Sequence, residues 1–151
     1  LTNQTGGNIH DNGTIDITSN SIYENQYHPK NLVEFDRPKS YCAKDGEKFF
    51  WVCFNFKNMQ VEISRYSIKS FASYPHIKSW VIEISNAGVN WEIIDKHSDE
   101  LNEKKIHKTF DVQKKSFAHF CRFRHTDKYW RYASMCHSGF QKIEFFGRLK
   151  M

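Results

Sequence analysis

Hydrophobic and polar positions alternate in two short runs between Lys78 and Asp95. Trp80, Ile82 and Ile84 alternate with Val81, Glu83 and Ser85, the period-two pattern of a half-buried strand. Asn86 to Gly88 supplies turn chemistry, after which Trp91, Ile93 and Asp95 resume the alternation, so the segment predicts a hairpin of an antiparallel β protein. Phe50, Val52, Phe54 and Phe56 alternate with Trp51, Cys53 and Asn55, predicting a strand over residues 49–56. Asn58 marks a turn, and Val61, Ile63, Tyr66 and Ile68 form the expected partner strand, with a slip between Ile63 and Tyr66 that predicts a bulge. Residues 117–124 and 140–146 complete the set.

The remaining segments read as edges and loops. Residues 1–21 form a flexible lead-in and first edge strand, anchored by Ile9, Ile15 and Ile17, ahead of a main body over residues 22–149. Pro29 and Pro38 interrupt any ladder between Tyr23 and Lys48, so this long loop is expected to gain order by packing Leu32, Val33 and Phe35 on the core. Residues 71–77 read as a loop, and residues 98–108 as a polar segment whose lone Leu101 cannot anchor a helix.

Composition fits this picture. A chain of 151 residues is the size of one domain with one core. Its 13 Phe, 7 Tyr and 4 Trp suit a β core filled by rings standing off pleated strands. The net charge of +5 is dispersed, with only the pairs Lys104-Lys105 and Lys114-Lys115 and no longer basic run, which argues against a nucleic-acid partner. Cys42, Cys53, Cys121 and Cys136 lack the CxxC spacing of a zinc site. Their even count leaves disulfides open, but Cys53 and Cys121 fall inside strand patterns, where a free thiol packs as a small buried hydrophobe, and all four are expected as reduced thiols in a cytoplasmic protein. The patterns at Asn3 and Asn12 fit glycosylation acceptors and keep a secreted or cell-surface alternative open. No apolar stretch reaches the ~20 residues of a membrane span, and the polar start at Leu1 predicts a piece cut from a longer protein.

The hairpin segment KSWVIEISNAGVNWEIID resembles the corresponding segment of discoidin domains, the coagulation factor V/VIII type C or galactose-binding-like family. WVCFNFKN, VEISRYSIKS, FCRFRHTDKYW and GFQKIEFFGRL continue the resemblance in the family's order, from about Gly6 onward. The likeness is to intracellular members found beside adaptor domains in eukaryotic, especially protist, proteins. It implies an all-β fold, a single jelly-roll β-sandwich of about eight main antiparallel strands, with residues 106–112 as one of them. It also implies that the loops at one end of the sandwich collect into a ligand face. Secreted members join cysteines near their two ends, whereas the first cysteine here is Cys42. Many extracellular members hold a structural calcium in the early loop, where Asn31, Glu34, Asp36 and Asp45 are oxygen donors without a recognised ligand pattern, and no other cofactor is expected.

No nucleophile elbow, HExxH motif, carboxylate pair or phosphate cradle appears, and adjacency sets Cys136 and His137 on opposite faces of a strand, so no enzyme is expected. The candidate ligand-binding residues are Tyr27, His28, Tyr74, His76, Arg124, Tyr129, Trp130 and Arg131, amphipathic rings among basic donors. Against this, Trp130 or Tyr132 could plug the end of the sandwich. Arg122 and Arg124 point to one face of a strand, where a salt bridge to Glu83 or Glu92 is the commoner fate. The expected function is a non-catalytic recognition module, a protein-binding adaptor domain. The alternatives are a carbohydrate-binding, lectin-like domain or a structural component of an assembly. Lipid ranks below sugar because the loops carry Tyr, His and Lys rather than bare apolar spikes.

Overall fold

The computed structural model describes residues 7–44, 49–71, 77–98, 101, 106–126 and 139–151. In one sheet, β1 (Asp16–Ser19), β3 (Trp51–Asn55), β5 (Ser79–Ser85), β6 (Glu92–Ser98) and β9 (Phe120–His125) run in the order β1-β3-β9-β5-β6. A second sheet has β4 (Gln60–Lys69), β7 (His107–Asp111) and β11 (Lys142–Lys150) in the order β11-β4-β7, with β8 (Phe117–Ala118) also on β4. The short strands β2 (Tyr41–Cys42) and β10 (Gly139–Phe140) pair with each other. Among the described residues every pairing is antiparallel, and eight strands have four or more residues, as expected of the β-sandwich.

The two sheets meet through aromatic rings. Phe54 of β3 stands edge-on to Phe145 of β11 with centroids 5.1 Å apart, and Trp80 of β5 stands edge-on to Phe110 of β7 at 5.4 Å. Phe50, Val52, Phe54 and Phe56 all point inward, as their alternation predicts. The slip between Ile63 and Tyr66 is a bulge: Phe146 faces Arg65 while Gly147 faces Ile63, leaving Ser64 without an opposite residue.

Several expectations are corrected. β4 does not pair with β3; Lys57, at φ 59°, turns the chain so that it crosses to the other sheet. β5 is buried on both faces rather than half-buried, because it runs between β6 and β9 and arginine side chains cover its outer face. The alternation of Trp91, Ile93 and Asp95 breaks at a register shift, so Ile93 is exposed while both Ile94 and Asp95 are buried. Leu101 is fully buried in the core.

The long early loop is built from two 3-10 turns, Asn25–Tyr27 and Pro29–Val33, the second packed against β1, β2 and β11. Leu32 and Val33 are buried there, but Phe35 is 46% exposed, contrary to expectation. Lys142 Nζ donates to the backbone oxygens of Asn31 (2.7 Å) and Lys39 (2.8 Å), tying the loop to β11. No helix among the described residues is long and apolar enough to cross a membrane.

Candidate functional site

Antiparallel order in the five-stranded sheet brings the ends of β1, β6 and β9 and the starts of β3 and β5 to one end of the sandwich. Backbone bonds stitch this end together. His125 N–H donates to Phe50 O (2.9 Å), and Thr126 N–H donates to Ser79 O (2.8 Å). The fully buried His125 accepts from Lys78 N–H through Nε2 at 3.0 Å, so this nitrogen is unprotonated. Thus the strand ends that flank residues 72–76 and 127–138 are fixed side by side. Tyr74, His76, Tyr129, Trp130, Arg131 and Tyr132 lie outside the described residues, as do Cys136 and His137.

On the outer face of the sheet, leading up to this end, one buried carboxylate organises two arginines. Glu83 is 3% exposed and faces Arg122 across the β5–β9 pair. Arg122 Nε donates to Glu83 Oε1 at 2.8 Å; Arg124 donates from Nε to Oε1 at 2.9 Å and from Nη2 to Oε2 at 3.2 Å. The salt bridge weighed in sequence is therefore formed with Glu83, whereas Glu92 pairs with Lys114. Glu83 holds the Arg124 guanidinium in its charged form, raising its pKa above the ordinary value, against an opposing contribution from burial.

Aromatic rings flank the pair. Trp51 lies directly opposite Arg124 in the β3–β9 ladder, so both side chains emerge on the same face. Arg122 sits over the Trp91 ring at 4.1 Å and nearer the Trp51 ring than 6 Å, at 5.7 Å. Phe49, just before β3, is 57% exposed. Arg124 keeps a third of its side chain in solvent, 36%, and that side chain makes no hydrogen bond among the described residues except to Glu83. A guanidinium fixed by one buried acid beside indole faces can donate to hydroxyls while a ring stacks on a neighbouring apolar face. Trp51 and Trp91 were not among the sequence candidates. The available signal was a large ring on the polar side of an alternating strand, at Trp51.

Tyr27 and His28 lie elsewhere. Tyr27 sits by Tyr23, ring centroids 5.8 Å apart. His28 Nδ1 accepts from Lys30 N–H (3.0 Å) and its ring packs on His10 at 5.1 Å. No bond or ring contact among the described residues joins either to Arg124. Chemistry based on a thiolate finds no support here, since burial pushes the Cys53 thiol up to about 11 and Cys121 well above its ordinary value. No group of three His, Cys, Asp or Glu among the described residues is placed to hold a metal ion; Asn31 donates its side-chain amide to Gln26 O and Ser40 O, and Asp45 lies outside those residues.

No family model and no curated protein matches the chain. Solved structures do. A CBM32 module from Clostridium perfringens, in complex with GalNAc-β-1,3-galactose, aligns with TM-score 0.71 and 13% identity over 89% of this chain and 96% of that one. Chitosan-binding module 2 from a Paenibacillus chitosanase/glucanase, in complex with chitotriose, gives TM-score 0.70 and 16% identity over 89% and 97%. The C-terminal domain of a Bacteroides fragilis chitobiase gives 0.72 and 15% over 91% and 96%. These likenesses establish a galactose-binding-like β-sandwich. They also correct the functional expectation of a protein-binding adaptor: the similar folds named for a ligand are named for carbohydrate, not for a protein partner.

Proposed function

We propose that this chain is a non-catalytic carbohydrate-binding domain whose ligand surface is the loop end of the five-stranded sheet. The observation that carries the reading is Arg124, fixed by buried Glu83 directly across the ladder from Trp51, with exposed Phe49 two residues before Trp51. The arginine supplies convergent donors for sugar hydroxyls and the rings supply a stacking face. The sugar- and chitosan-binding modules of the same fold support it. Tyr74, His76, Tyr129, Trp130 and Arg131 are the proposed remainder of the surface, and no calcium is assigned. Carbohydrate binding moves the working compartment from the cytoplasm to the secreted or cell-surface alternative, and the acceptor pattern at Asn12 falls in an exposed turn in keeping with it.

A glycan array probed with wild type, Trp51→Ala and Arg124→Lys tests the reading. The expected result is saturable binding that Trp51→Ala abolishes and Arg124→Lys weakens roughly tenfold, because lysine keeps the charge but loses the fork. Absence of binding to any glycan by the folded wild type, or equal binding by all three proteins, would overturn it.

A further inference from the structure

Phe35 stands half in solvent although a loop phenylalanine beside a sandwich core has apolar surface to cover it. Together with Asp36 and Arg37 it walls a cavity of about 420 Å³ on the outer face of the four-stranded sheet. Three neighbouring strands contribute to its lining: Ser67 and Lys69 from β4, His107 from β7, Glu144 from β11. Their register forms two rows across the sheet, Lys142–Lys69–His107 and Glu144–Ser67–Thr109. Lys142 bonds to the Asn31 and Lys39 carbonyls and so fixes the loop that carries the Phe35 wall.

The other charges in the cavity have no ion-pair partner among the described residues. Arg37, Lys69 and His107 share the space with Asp36 and Glu144, yet no ion pair joins any of the five to a described residue. Lys69 between Lys142 and His107 also sets basic groups directly opposite one another, which costs the sheet stability. Donors and acceptors of both signs, kept apart around an exposed ring, match a molecule presenting many hydroxyls and an apolar face. Arg37, Lys69 and Lys142 stand against Asp36 and Glu144, but Lys142 is spent on two loop carbonyls, so the donors left open to a ligand are matched by carboxylates, as a polyhydroxyl molecule requires.

We propose that the Phe35 groove is a second carbohydrate subsite, taking one or two pyranose rings of a neutral glycan, separate from the Trp51–Arg124 surface. It rests on the carbohydrate reading. Two subsites on one domain raise avidity for a polysaccharide well above that of either alone.

The test is an amide-resolved NMR titration of the whole chain with chitotriose, lactose and inorganic phosphate. It compares wild type, Phe35→Ser, Glu144→Gln and Trp51→Ala. In wild type, a sugar should move two sets of signals, one around residues 35–37, 67–69 and 107, the other around Trp51 and Arg124. Phe35→Ser should weaken the first set roughly tenfold and leave the second unchanged. Glu144→Gln, at an exposed position, gives the same loss without removing a ring. Trp51→Ala should do the reverse. Shifts confined to the Trp51 end overturn the groove and keep carbohydrate binding, whereas shifts confined to the groove overturn the loop-end surface and keep the groove. Groove shifts with phosphate but neither sugar would make it an anion site and overturn the proposal, and no shifts with either sugar would sink both readings.

Discussion

His28 shows how far a residue's role depends on its neighbours. Its Nδ1 accepts the Lys30 amide at the start of the second 3-10 turn, so the bonded form is neutral. Burial lowers its pKa below the ordinary 6.5, and His10 and Lys30 push it the same way, while Asp11 opposes them weakly. The unfolded chain therefore takes up the proton first as pH falls. The resulting stability is present above 6.5 and is lost as pH drops through the lower folded value. His28→Asn keeps a side-chain acceptor for Lys30 and removes the titration. Thermal unfolding from pH 7.5 to pH 5.5 should show a shallower loss of Tm in this variant than in wild type, and equal slopes would exclude the role. Sequence marked His28 as a ring in a loop, but its bonded nitrogen was hidden because the cap depends on local backbone geometry. Arg124 was legible as a salt-bridging arginine with Glu83 or Glu92 as its partner, since alternate positions on a strand share a face, and the strand register selects Glu83. Phe35 and Trp51 were not, because exposure of a ring depends on which surface its strand or loop turns toward.

Among the elements, legibility tracked the period of the pattern. β3 is read correctly because one face is apolar and the other polar. β5 has the same alternation yet is buried on both sides, since its outer cover comes from arginines of β9, distant in sequence. The bulge at Ser64 was visible as a slipped repeat, but its cause on the partner strand was not. Gly147 passes so close to β4 that a Cβ there would lie 1.9 Å from Glu62 O, a backbone atom that cannot swing away. Gly147→Ala must therefore push β11 from β4 or shift their register. We expect a loss of about 3 kcal/mol, at the upper end for an overpacked site, read as a lower midpoint in urea with an unchanged m-value. A midpoint equal to wild type would show that β11 tolerates displacement at the bulge.

At the scale of the molecule, a polar link inside the aromatic core joins the two sheets of the sandwich. Tyr66 on β4 donates its hydroxyl to Asp95 Oδ2 on β6 at 2.6 Å and accepts the Trp80 indole N–H from β5 at 3.0 Å, so one oxygen bridges the two sheets. Burial raises the Tyr66 pKa well above its ordinary value, and the bond to Asp95 adds to this, so the hydroxyl stays protonated as the donor. His97 Nε2 approaches the same Asp95 oxygen at 2.9 Å, without hydrogen-bond alignment between them. Asp95 is 1% exposed and reaches this position only through the register shift in β6, the feature that sequence alternation missed. Tyr66→Phe keeps the ring and its contacts with Phe110 and Phe145 while removing the oxygen. A buried carboxylate then loses its donor and an indole N–H loses its acceptor, for about 3 kcal/mol in all. In a chain of this size that corresponds to a Tm lower by roughly 6–12 °C. The proposed Trp51–Arg124 surface lies on the opposite face of the five-stranded sheet, so sugar binding there below the transition should be unchanged in this variant. A Tm within a degree of wild type would show that the sheets are held by ring packing alone.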